Sequence, residues 1–139
     1  MSSPPDWTGA LAPSLDEFAA LAEAALEALP APFRARVGDV EMRVVEYAED
    51  DVLDDLGLED PFQLTGLYQG PDLIQRGAHE AAQGPSMVFL YRRAILDEWC
   101  ERGDVTLGEL ITHVLVHEIG HHFGLSDADI ETIEARGGR

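Results

Sequence analysis

The residue pattern predicts an α+β fold on three observations. Apolar residues recur at helical spacing in segments that open with capping signatures. One segment alternates with period two, and one near-continuous apolar run has the character of an inner strand. In chain order, Met1 to Pro13 is rich in Pro, Ser and Gly and reads as a flexible lead-in, with Trp7 expected to dock on the body. The domain proper, 14–139, opens at Ser14, which pairs with Glu17 as a capping box. Leu15, Phe18, Leu21, Leu26 and Leu29 then set out a helix from Leu15 to Leu29, closed by Pro30. From Val40 to Tyr47 the apolar Val40, Met42 and Val44 alternate with Glu41 and Arg43, which predicts a strand with one buried face.

Between Glu46 and Asp60 stand eight carboxylates, read as a solvated loop with a helical turn around Val52 to Leu56. They lack the alternating ligand positions and internal glycine of an EF-hand loop, which argues against calcium. Leu64 to Gln69 is a short strand and Asp72 to Pro85 a loop. Met87 to Tyr91 is a strand covered on both faces. A helix from Arg93 to Arg102 stops at Gly103. Thr106 and Glu109 form a second capping box, opening a helix that runs toward Gly124 through Leu107, Leu110, Ile111, Val114, Leu115 and Ile119. Ser126 caps a last short helix through Ile130 and Ile133, with Asp127 and Asp129 in its first turn.

Composition narrows the function. The 139 residues carry 27 acidic against 9 basic side chains, a formal net charge of −18. All nine basic residues are arginines, and only Arg92 and Arg93 are adjacent. A nucleic acid or an anionic membrane surface needs a basic patch, so neither is a fitting partner, whereas a basic peptide is. No apolar run reaches the length of a membrane span, and the N-terminus has no basic flank before an apolar core, so a cytoplasmic location is expected. The single cysteine, Cys100, excludes an internal disulfide and reads as a small buried hydrophobe.

Within the predicted helix lies His117-Glu118-Ile119-Gly120-His121, the pattern HExxH. Histidines four apart share a helix face with Cβ atoms about 5 to 6 Å apart, so both imidazoles can reach one zinc ion. Glu118 stands where its carboxylate can take a proton from a water on the metal. Gly124 and Asp127 extend the motif to HExxHxxGxxD. The glycine allows the helix to stop and the chain to turn back, so that Asp127 approaches the ion from a third direction. Two imidazoles and one carboxylate leave a fourth position open, as in a catalytic site. Glu131 and Glu134 on the last helix are alternative third ligands. His113 shares the His117 stripe but lies about 12 Å along the axis from His121, too far for both to join His117 on one ion. His122 points roughly a quarter-turn away.

The segments Leu67-Tyr68-Gln69-Gly70, Val88-Phe89-Leu90-Tyr91-Arg92 and His117 through Asp127 together resemble the zincin metallopeptidases, and most closely a family of small bacterial zincin-like proteins. The resemblance spans 14–137. It implies a minimal zincin-like fold: a short mixed β-sheet of three to four strands, packed on helices that include the HExxH helix. It implies one Zn2+ on His117 and His121, with Asp127 as third ligand and Glu118 as general base. The implied activity is that of a zinc metalloendopeptidase-like hydrolase acting on a peptide or protein. Two features differ from the larger metzincins: Asp127 occupies a position usually held by His, and no methionine follows Met87. An extended substrate would add to the edge of the Leu64 to Gln69 strand, with Arg76, Arg92 and Tyr68 as candidate oxyanion donors. A zincin-like domain that binds metal or a partner with little turnover is the alternative reading.

Overall fold

Each helix start follows from local hydrogen-bonding chemistry. In the computed structural model, which describes residues 6–34, 40–70, 86–122, 124–126 and 128–132, α1 spans Leu15–Glu27. The Glu17 N–H donates to Ser14 Oγ (3.1 Å), and the Ser14 N–H donates to Glu17 Oε1 (2.8 Å). The helix ends two residues short of Leu29, because Pro30 starts a separate turn, α2 (Ala31–Arg34). Strand β1 covers Val40–Val45. The acidic stretch holds more structure than a loop: α3 runs Asp50–Leu56 and closes on Gly57 at φ 71°. A single 3-10 turn, Pro61–Gln63, leads into β2, Gly66–Gln69. Strand β3, Ser86–Tyr91, passes directly into α4, Arg92–Arg102, which Gly103 terminates at φ 72°. Trp99 Nε1 donates to the Val105 carbonyl (3.0 Å) and fixes the turn that follows.

The last long helix, α5, spans Leu107–His122. Its start is the expected capping box: the Glu109 N–H donates to Thr106 Oγ1 (3.1 Å) and the Thr106 N–H to Glu109 Oε1 (2.9 Å). Residues 128–132 form a further helical segment, capped by Ser126, whose Oγ accepts from the Asp129 N–H (3.2 Å).

The sheet is mixed, in the order β1-β3-β2. β1 pairs with β3 in parallel, Val40 opposite Ser86 through Val45 opposite Tyr91. β2 pairs with β3 antiparallel, Gly66 opposite Leu90 through Gln69 opposite Met87. One face of the sheet, through Met42, Val44, Val88, Leu90 and Tyr68, packs into the main core with Phe18, Phe33, Ile111, Leu115, Ile119 and Ile130. Its other face, through Val45, Leu67, Phe89 and Tyr91, meets Ala48, Leu53 and Ala94 in a second cluster. The apolar run of β3 is thus explained, since among the described strands it alone has a strand on either side and a core on either face.

Several single-residue expectations need correction. Trp7 does not dock and is 73% exposed. Cys100 is exposed, because α4 turns Ala94, Ile95 and Trp99 inward and places Cys100 beyond that stripe. Arg92 is buried as a structural tie: its Nε donates to the Pro13 carbonyl (2.7 Å) and its Nη1 to Glu46 (2.8 Å). It is therefore no free oxyanion donor. The expected loop over Asp72 to Pro85, with Arg76, lies outside the described residues. No helix among the described residues is long and apolar enough to cross a membrane.

Candidate active site

The site is built on the last two turns of α5. Its inward stripe, Leu110, Ile111, Val114, Leu115 and Ile119, is buried against the sheet and α1, which fixes the rotation of the helix. That rotation leaves His117 and Glu118 partly covered and His121 facing outward, its side chain 46% exposed. The helix carries all three HExxH groups on its last two turns. His121 Nδ1 lies 4.0 Å from Glu118 Oε1, which leaves His121 Nε2 on the far side of its ring. Nε2 of His117 is withdrawn from solvent. Two imidazoles one turn apart, with a carboxylate beside them, form a donor set that suits zinc.

Asp127 and Glu134 lie outside the described residues, and Glu131 is exposed. Among the described residues no three His, Cys, Asp or Glu groups converge as a metal cluster. What is described is the turn that carries the chain toward Asp127. The Leu125 N–H donates to the Gly120 carbonyl (2.9 Å) and the Gly124 N–H to the His121 carbonyl (3.0 Å), with Gly124 at φ 74°. These bonds form a Schellman closure, and they require a residue tolerant of the left-handed region at Gly124, as the motif predicts.

Four features escape motif reading. Gly120 is pressed by the returning segment: a Cβ there would lie 2.5 Å from Ile130 Cγ1 and closer still to Cδ1. Gly66 opens β2 directly over α5, where a Cβ would lie 2.7 Å from Val114 Cγ1 and 3.3 Å from Glu118 Cγ. The edge strand and the candidate base are therefore in close approach. His113 packs its ring on that of His117, with centroids 4.4 Å apart. Tyr91 is buried, and its phenol is pushed up to about 12, chiefly by burial and further by the charges of Glu118 and Glu49. No sequence pattern reports the glycine contacts or the Tyr91 environment, because they arise between elements distant in the chain. The His113 contact could be found, since four residues separate it from His117.

Tyr68, the other described candidate for an oxyanion donor, has its hydroxyl 3.3 Å from Ser86 Oγ. No curated protein matches the chain. The profile of the zincin-like metallopeptidases matches residues 37–137, which takes in the sheet, α5 and the whole HExxHxxGxxD segment. On that match the chain belongs to the zincin-like metallopeptidase family.

Proposed function

We propose that the chain is a zinc-dependent peptidase in which His117, His121 and Asp127 hold one zinc ion and Glu118 is the general base. The observation that carries this reading is the placement of Glu118 beside His121, on the helix that also carries His117, and directly beneath β2 at Gly66. A zinc ion held there supplies Lewis-acid chemistry, acidifying water and polarising a scissile carbonyl. The partly covered Glu118 carboxylate accepts the proton from water and passes it to the leaving amine. Its position one residue from His117 keeps it beside the metal without making it a ligand. β2 is an outer strand among the described residues, and an extended peptide laid antiparallel or parallel along it would cross above Glu118. The −18 charge favours a basic peptide.

Zinc content of the purified protein, measured beside peptide hydrolysis by wild type and Glu118→Gln, tests the reading. One zinc per chain in both, with hydrolysis lost only in the variant, is the expected result. Zinc in both with hydrolysis in neither would replace the peptidase by a zincin-like binding domain. A wild type without zinc would overturn the metal site itself.

A further inference from the structure

The sheet face opposite α5 carries a cavity of about 290 Å3. It runs across all three strands, from Gln69 on β2 over Phe89 and Tyr91 on β3 to Val45 on β1, and the segment bearing Glu49 and Asp51 completes it. Its lining is unusual for a gap beside a core. Phe89 and Tyr91 present nearly parallel rings (8° between planes, centroids 6.3 Å apart), and the two carboxylates are the charged groups beside them. Tyr91 is 3% exposed, and its ring forms part of the cavity wall.

A substrate strand paired to β2 alternates its side chains between the two sheet faces. Side chains of one set pass over Gly66 and Glu118, and those of the other set pass over Gln69 toward the cavity. The phenol of Tyr91 is near enough to feel both Glu118 and Glu49, which ties the cavity to the catalytic end of the strand. We propose that this cavity is a specificity subsite for an arginine or lysine side chain of the peptide substrate. Its stem lies against Phe89 and Tyr91, and its cationic head meets Glu49 and Asp51. Aromatic faces beside carboxylates suit a guanidinium above other side chains.

The inference rests on reading the chain as a peptidase, and its test is read by binding so that the two can fail separately. Three extended peptides, identical except for a central Arg, norleucine or Glu, are titrated into the full-length protein by calorimetry, with zinc content and cleavage recorded in parallel. The Arg peptide should bind about tenfold more tightly than the norleucine peptide. Glu49→Gln with Asp51→Asn should abolish that preference, and Glu49→Lys with Asp51→Lys should reverse it toward the Glu peptide. Neither neutral variant threatens folding: Glu49 makes no side-chain cap bond, and Asn at 51 retains the oxygen that accepts the Val52 N–H. Asp97→Asn with Glu101→Gln on α4 changes the net charge equally at exposed positions and should leave the preference intact. Equal binding of the Arg and norleucine peptides, or a preference that survives in the Glu49 and Asp51 variant, would overturn the subsite. Selective binding without zinc or cleavage would retain the subsite and refute the peptidase.

Discussion

Gly120→Ala puts a methyl group where Ile130 already sits. The new Cβ would meet Ile130 Cγ1 at 2.5 Å and Cδ1 closer still, and Ile130 is fully buried, so its side chain has no open space to turn into. Overpacking of this kind costs about 1–3 kcal/mol. Alanine recovers about 1 kcal/mol of helix propensity over glycine, so the net loss should be about 1 kcal/mol. Ile130→Ala alone removes a buried side chain and should cost about 2–5 kcal/mol. In that background the clash is gone, and adding Gly120→Ala should stabilise by about 1 kcal/mol, a coupling of about 2 kcal/mol. Urea denaturation of the four proteins in chelator measures the cycle without a contribution from metal linkage. Because Ile130 docks the segment that follows Asp127, Gly120→Ala should also weaken zinc binding by about tenfold or more. A single variant more stable than wild type, or an equal loss in both backgrounds, would refute the reasoning.

Gly66→Ala should cost about 1–3 kcal/mol through its contact with Val114. Peptide hydrolysis should fall by more than that loss explains, because the strand lifts from Glu118; kcat/KM beside a melting curve separates the two effects. Arg92→Ala should destabilise by about 1–3 kcal/mol, since the Pro13 carbonyl and Glu46 both lose their partner. Burial raises the Glu46 carboxyl but is outweighed by Arg92 and Arg93, which together hold it below its ordinary value of 4.5. A depressed folded value gives stability that is present above 4.5 and lost as pH falls below it, so wild type and Arg92→Ala should converge in part as denaturation curves are taken below pH 4.5. Tyr91 has the opposite sign: its folded value of about 12 lies above the ordinary 10, so its share of stability is full below pH 10 and lost between 10 and 12. The chain has no lysine to titrate beside it. Tyrosinate absorbance should show one late step that Tyr91→Phe removes.

Local signals made the element order readable before any coordinates. Ser14 with Glu17 and Thr106 with Glu109 declare helix starts through bonds that span three residues. Gly103 and Gly124 declare stops through backbone angles, and each of these features forms as written. The α3 helix is faint in the sequence because its seven residues include four carboxylates, and its hold on the fold comes from Leu53 and Val52 packing on the far sheet face. The exposure of Cys100 is hidden from the sequence for a related reason. Its type favours burial, but the rotation of α4 is set by Ala94, Ile95 and Trp99.

The candidate site divides along the same line. HExxH names its groups because helix geometry alone brings His117, Glu118 and His121 together. Everything that aims those groups at a substrate comes from contacts across the chain, and two of these contacts exist because a side chain is missing. Without a Cβ at Gly66 the edge strand can descend onto Glu118, and without one at Gly120 Ile130 can seat the segment that follows Asp127 against the ligand helix. In a motif Gly120 reads as an unspecified position, and Gly66 as the start of a short strand. Their importance is steric, so a helix bearing the same motif on another scaffold would keep the candidate ligands and lose the close approach of β2 and Ile130. The candidate groups are written in the motif, whereas the approach of other elements to them is written in the glycines.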